Sequence, residues 1–159
     1  MAQCLHNQIA VMVVDLLQSD EINVLASQAD WNWPLAMSDI FRPRGVNLLV
    51  TESANDIVNV LRQRRIRTAI VDTDPPRPTR GRVEAGREQG GLWTLKIIRM
   101  ECPSIPCILL ASNATKSILD EALRLDVFSV LDKPVDMRIL KDLLNRLFVK
   151  RYGSHIFSV

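Results

Sequence analysis

The chain has 159 residues, of which 47% are hydrophobic and 24% charged, a balance that is typical of one ordinary globular domain. Its net charge of +2 is too small to indicate a nucleic-acid-binding domain, and no apolar run is long enough to span a membrane. The apolar run at 9–14 follows no basic segment and soon meets Asp15, so we expect no signal peptide and a cytoplasmic location. Three cysteines at irregular spacing indicate free thiols.

Short apolar runs rich in β-branched residues predict five strands. In chain order, these strands are expected at 9–14, 46–51, 68–71, 106–110 and 127–131. The runs are apolar throughout and do not alternate with polar residues, which is typical of strands covered on both faces.

Helical patterns fill the gaps between these runs. The first helix is predicted to begin near Ser19 or Asp20 and to carry Ile22, Leu25 and Ala29 on its apolar stripe. The others are expected to begin at Ser53 or Asn55, at 92, at Thr115 and at Asp136. This βαβαβαβαβα order predicts an α/β fold with a doubly wound parallel sheet and helices on both faces.

Two stretches interrupt the compact pattern. Residues 31–45 make the first connection long, and residues 75–91 are rich in Pro, Gly and Arg, as in a solvated surface loop. We interpret both as insertions in a single domain covering residues 1–150, followed by a tail at 151–159.

Polar residues are expected at the carboxyl ends of the strands, where open doubly wound sheets bind ligands. Asp15 follows the first predicted strand, Asp72 the third, Ser112 the fourth and Lys133 the fifth. Two carboxylates and a lysine suit a phosphoryl group and a cation, with a carboxylate as nucleophile and the lysine pairing the phosphate oxygens. Asp15, Asp72 and Asp74 are the candidate ligands for Mg²⁺.

The residues at these strand ends resemble those of bacterial response-regulator receiver domains, which are CheY-like. The resemblance rests on five motifs in the family's order, at 13–15, 69–76, 91–92, 109–112 and 131–134. It implies a flavodoxin-like fold with strand order 2-1-3-4-5 and phosphotransfer from a histidine kinase or phosphotransfer protein to Asp72. It also implies a cis peptide bond before Pro134.

The chain departs from the family pattern at three places. Leu16 replaces the second of two adjacent acids, and leucine cannot ligate magnesium, so the expected metal site is weakened. Ala111 replaces the hydroxyl residue after the fourth strand, with Ser112 one place later as a partial substitute. Val130 stands at the position of the aromatic switch residue.

Three functions are open at this point. The first is a phosphorelay receiver that is not an enzyme, with a downstream protein target and no direct contact to membrane or nucleic acid. By family analogy, homodimers or targets would use the face of the fourth and fifth helices and the fifth strand, near Leu123, Leu125 and Val130. The second is a pseudo-receiver that is never phosphorylated and acts as an interaction module. The third, remote, is an aspartyl phosphatase with Asp72 as nucleophile and Asp74 as general acid.

Overall fold

The computed structural model describes residues 22–27, 33–73 and 91–153, apart from the side chains of residues 33 and 91. Strands and helices alternate along this part of the chain. They are β1 Ile22–Ser27, α1 Trp33–Phe41, β2 Val46–Thr51, α2 Ala54–Gln63, β3 Ile66–Asp72, α3 Gly91–Glu101, β4 Cys107–Ala111, α4 Lys116–Arg124, β5 Ser129–Asp132 and α5 Met137–Tyr152, with a short 3-10 helix at Arg42–Arg44.

The strands form one five-stranded sheet in the order β2-β1-β3-β4-β5. Every neighbouring pair is parallel, so all the carboxyl ends lie at one edge of the sheet. This arrangement confirms the predicted flavodoxin-like, CheY-like fold. Within the described ranges, no helix is both long and apolar enough to cross a membrane.

The first strand of the sheet is not the one that the sequence predicted. Ile22–Ser27 forms β1 and lies between β2 and β3, so the helix predicted to carry Ile22 and Leu25 is wrong. Four consecutive residues of β1, 23–26, are buried, which requires cover on both faces of the sheet. The run at 9–14 lies, with Asp15 and Leu16, outside the described residues.

The shift of β1 also changes the first connection. Residues 31–45, predicted to be an insertion, contain α1 and the 3-10 helix, so they include the ordinary crossover from β1 to β2. Gly45 ends the 3-10 helix in the left-handed region, at φ 71°, where a side chain would be strained. The insertion predicted at 75–91 falls, except for Gly91, outside the described residues. The predicted domain limits stay a prediction.

Apolar side chains cover the sheet on both faces. On one face, Met37 and Phe41 of α1 and Leu140 and Phe148 of α5 pack on Ile70 of β3. On the other face, the core joins β1, β3 and β4 to α2, α3 and α4 through Leu25, Ile57, Leu61, Val71, Leu95, Leu109 and Ala122. The sheet is therefore held from both sides, as the apolar strand runs predicted.

Side-chain hydrogen bonds fix three helix starts where the sequence predicted them. Ser53 and Thr115 accept hydrogen bonds from backbone N–H groups three residues later, and Asp136 accepts one from the N–H of Arg138. Each satisfies a backbone donor that the first turn of a helix leaves without a partner. The cap of α5 matters for the site, because it lies directly after the turn that follows β5.

Replacing Leu25 by Ala tests the burial of β1. Leu25 is 1% exposed, so Leu25→Ala should lower the free energy of unfolding by about 2–5 kcal/mol through lost burial and a cavity. Leu35→Ala is the matched control, because Leu35 of α1 is 67% exposed and its truncation should change stability by less than about 0.5 kcal/mol. Urea denaturation measures both. Equal losses would contradict the burial of Leu25 in the core.

Cys107 gives a second test, which depends on pH. Burial raises the pKa of this thiol to about 11, from an ordinary value of 9.0. At pH 9–10 the unfolded chain therefore loses the Cys107 proton while the folded chain keeps it, so the contribution of this thiol to stability falls as pH rises. Iodoacetamide reacts with the thiolate, so at pH 8–9 it should alkylate Cys107 in urea but not in the native protein. Rapid native alkylation of Cys107, located by peptide mass, would contradict the buried β4.

Candidate functional site

Asp72 lies at the carboxyl end of β3, near the centre of the sheet. The residue is 3% exposed although it is charged. Its backbone N–H donates to Ser27 Oγ at 2.8 Å, and the next N–H, of Thr73, donates to the Leu110 carbonyl at 2.8 Å. The ends of β1 and β4 thus fix the backbone that carries this carboxylate.

Lys133 follows β5, and its side chain reaches Asp72. Its backbone N–H donates to the Ala111 carbonyl at 2.9 Å, which holds the start of the turn against the end of β4. The peptide bond between Lys133 and Pro134 is cis, as the resemblance implied. Lys133 Nζ lies 2.6 Å from Asp72 Oδ1, and their side chains are only 9% and 0% exposed.

The two charges stabilise each other in a place that water hardly reaches. A buried carboxylate or ammonium group alone carries a large desolvation penalty, which an opposite charge at hydrogen-bonding distance offsets. The pair also places the Asp72 carboxylate, which can act as a nucleophile, beside the Lys133 ammonium group. A carboxylate so placed can form an acyl phosphate, and a lysine beside it can pair the added phosphate oxygens.

The end of β4 lies between these two residues and carries no hydroxyl group. Ala111 is fully buried, and Ser112, the predicted substitute for the missing hydroxyl, follows it with its residue exposed. Val130 of β5 is half-buried and packs against the core beneath α4. Ser112 therefore lies at the carboxyl edge of the sheet, directly after the buried Ala111.

The described residues contain one of the three predicted magnesium ligands. Asp72 is the one predicted metal ligand among them, since Asp15 and Asp74 lie outside the described residues. In the part of the chain that the structure describes, no group of three His, Cys, Asp or Glu side chains is placed to hold a metal ion. Mg²⁺ usually takes one or two carboxylates with water and phosphate oxygens, and β1 ends in Ser27 where the first predicted strand ended in an acid.

Ser27 is the site residue that the sequence analysis missed. It was missed because 22–29 was interpreted as a helix and 9–14 as the first strand. The length of the first connection was a signal that could have located this strand. A first strand at 9–14 makes the connection to the second strand unusually long. A first strand at Ile22–Ser27 leaves room for one helix of ordinary length.

Breaking the buried pair should be costly. Lys133→Met leaves the Asp72 carboxylate buried without its cation and should lower the free energy of unfolding by about 3–5 kcal/mol. Asp72→Leu combined with Lys133→Met removes both charges and should recover most of that loss. Urea denaturation measures the two variants.

The matched control is Arg62→Met, which breaks an exposed ion pair with Glu101, at 3.0 Å. Because solvent screens that pair, its loss should lower stability far less. A double variant as unstable as Lys133→Met, or a control as unstable as either, would contradict the importance of the buried pair.

Comparison with known proteins gives the fold but no close relative. No family model matches the sequence, and no curated protein matches it. Solved structures do match. The chain is similar to a receiver domain of an HD domain-containing protein from Pseudomonas fluorescens, with a TM-score of 0.68 and 17% identity over 84% of this chain and 99% of the other.

Two further solved structures are similar to the chain over most of its length. A CheY-like response regulator receiver domain from Methanospirillum hungatei has a TM-score of 0.67 and 15% identity, covering 85% of this chain and 100% of the other. The chemotaxis protein CheY4 of Vibrio cholerae has a TM-score of 0.65 and 17% identity, covering 80% and 98%. With the sheet order, these likenesses show that the chain has the fold of a CheY-like receiver domain.

Proposed function

We propose that this chain is a receiver domain of two-component signal transduction and that Asp72 is its phosphoacceptor. The observation that carries the proposal is the position of Lys133 Nζ, 2.6 Å from Asp72 Oδ1 at the carboxyl edge of the sheet. A nucleophile and a phosphate-pairing cation from distant parts of the sequence meet there. The donor would be a phosphohistidine of a cytoplasmic histidine kinase or phosphotransfer protein.

The transfer follows from the two side chains. One carboxylate oxygen of Asp72 attacks the phosphorus atom, the bond from phosphorus to the donor imidazole nitrogen breaks, and that nitrogen keeps the electron pair. An acyl phosphate remains on Asp72. Lys133 then pairs with the phosphate oxygens instead of the Asp72 carboxylate. The contact that Lys133 makes after β5 is therefore the first to change.

The output surface of this proposal lies on α4, β5 and α5. Leu123 is 77% exposed on α4 and Ile139 is 55% exposed on α5, while Leu125 and Val130 are half-buried against the core. Of the three residues expected at this face, Leu123 offers the largest exposed apolar surface. We propose that a downstream protein, or a second copy of the chain, binds here.

A pseudo-receiver is the second candidate, and two observations favour it. β1 ends in Ser27, a neutral side chain, and the Asp72 side chain is fully buried beneath its ion pair. A phosphoryl donor can reach Asp72 only after the pair opens. If the pair stays closed, the domain works through its surface alone, and Lys133 serves only to neutralise Asp72.

Intact-mass measurement after incubation with acetyl phosphate and Mg²⁺ separates the two candidates. The wild type should gain the mass of one phosphoryl group, and hydroxylamine should remove it, because an acyl phosphate is labile to this nucleophile. Asp72→Asn should gain nothing. A wild type without any mass gain would contradict the phosphoacceptor proposal and support the pseudo-receiver.

The control for this experiment is Asp142→Asn, which changes an exposed carboxylate on α5 that pairs with Arg146 at 3.2 Å. It should be labelled like the wild type. Label that survives hydroxylamine, or that persists in Asp72→Asn, would place the phosphoryl group elsewhere and overturn the assignment of Asp72.

A further inference from the structure

The strand β2 lies at one edge of the sheet, at the opposite end of the strand order from β5. Among the described residues it pairs with β1 alone, in an uninterrupted parallel register from Val46 to Thr51. In such a pair, every second residue of an edge strand directs its N–H and C=O groups away from the neighbouring strand. The outer side of β2 therefore presents a row of backbone donors and acceptors that no described strand uses.

The side chains of β2 do not protect this edge. Proteins usually block an edge strand with a lysine, a proline, a bulge or an inward-pointing charge. The sequence of β2, VNLLVT, contains no charged residue and no proline, and its register with β1 has no bulge. Asn47 is exposed and Val50 is 48% exposed, so a further strand has access to the edge.

Both cores of the domain reach this edge with apolar side chains that are only partly buried. Leu48 borders the core that α1 and α5 cover, and Leu49 borders the core on the other face of the sheet. A strand added beside β2 would cover both leucines from the side, because its own side chains alternate between the two faces. Strand addition would therefore bury apolar surface on both faces, in addition to pairing backbone groups.

The two ends of β2 carry opposite charges. Arg42 lies in the 3-10 helix before β2, in a segment without acids, whereas Glu52 and Asp56 follow the strand in a segment, 52–56, without bases. Arg42 and Glu52 are exposed, and neither forms an ion pair with a described residue. An antiparallel second copy of β2 would bring its basic end beside the acidic end of the first at both ends of the pair. A parallel copy would bring like charges together.

We propose that two copies of the chain pair antiparallel through β2 about a two-fold axis, which joins their sheets into one continuous sheet. The axis is perpendicular to the sheet, so residues on the same face meet across the join. This condition centres the pairing on a residue, Leu48 or Leu49, and not between them. The join lies at the opposite edge of the sheet from β5, so it leaves the output surface near Leu123 uncovered in both copies.

Sedimentation equilibrium of the whole chain measures this association. Because a six-residue edge makes a small interface, we expect a reversible dimer whose share rises with protein concentration in the micromolar range. Amide hydrogen exchange in β2 should slow as the dimer forms. A chain that stays monomeric up to millimolar concentration would overturn the proposal. So would β2 amides that are equally protected in the monomer, since another segment of the same chain would then cover the edge.

A lysine in β2 tests the edge directly. Val50→Lys places a charge beside the join and should weaken dimerisation by about ten-fold or more. Val149→Lys is the matched control, because it makes the same substitution at a residue of α5 that is 41% exposed and should leave dimerisation unchanged. Leu123→Lys should also dimerise like the wild type. Loss of the dimer in Leu123→Lys but not in Val50→Lys would place the contact on α4 and overturn the β2 interface.

Charge reversal gives a test that a failure to fold cannot imitate. Arg42→Glu or Glu52→Arg alone places like charges at both ends of the antiparallel pair, so each variant should self-associate about ten-fold more weakly than the wild type. An equal mixture of the two variants places opposite charges at both ends and should form a mixed dimer with an affinity near that of the wild type. If the mixture associates no better than either variant alone, the antiparallel pairing is wrong.

Discussion

Lys133 and Asp72 hold an ammonium and a carboxylate group 2.6 Å apart where almost no solvent reaches them. Either charge alone would carry a large desolvation penalty there. The strands and the turn that carry the two residues must therefore keep them in contact. β4 lies between β3 and β5, and strands two places apart are about 10 Å from each other. A long lysine side chain spans that distance, and the small side chain of Ala111 ends the strand between them.

Backbone hydrogen bonds at the edge of the sheet fix the positions of Lys133 and Asp72 relative to each other. The N–H groups of Thr73 and Lys133 both donate to carbonyls at the end of β4, so β4 sets the position of both charged residues. Arg99 of α3 acts at the other end of the same strands. It donates to the carbonyls of Leu125 and Asp126 before β5, at 2.7 and 2.9 Å, and to the Ile105 carbonyl before β4. Both ends of the β4–β5 unit are thus tied to the rest of the domain.

The sequence was informative where local pattern and tertiary structure agree. β2 lies at 46–51 as predicted, and Asp72 and Lys133 meet because parallel strands bring their carboxyl ends to one edge. The prediction of β1 was wrong because Ile22 and Leu25 lie at helical spacing, while 9–14 has the stronger strand composition. Burial on both faces decided the outcome, and burial depends on partners that are distant in sequence. Ser27 was not predicted as a site residue because it lies at the end of that strand.

The residue that ends β1, Ser27, adds no charge to the described part of the site. An acid there, beside Asp72 and Lys133, would leave one negative charge in excess and so attract a cation. Ser27 is neutral, and its hydroxyl group accepts the Asp72 N–H, so the described carboxylate and ammonium balance each other. Separating Lys133 from Asp72 therefore costs energy, because each buried charge loses an opposite charge at 2.6 Å.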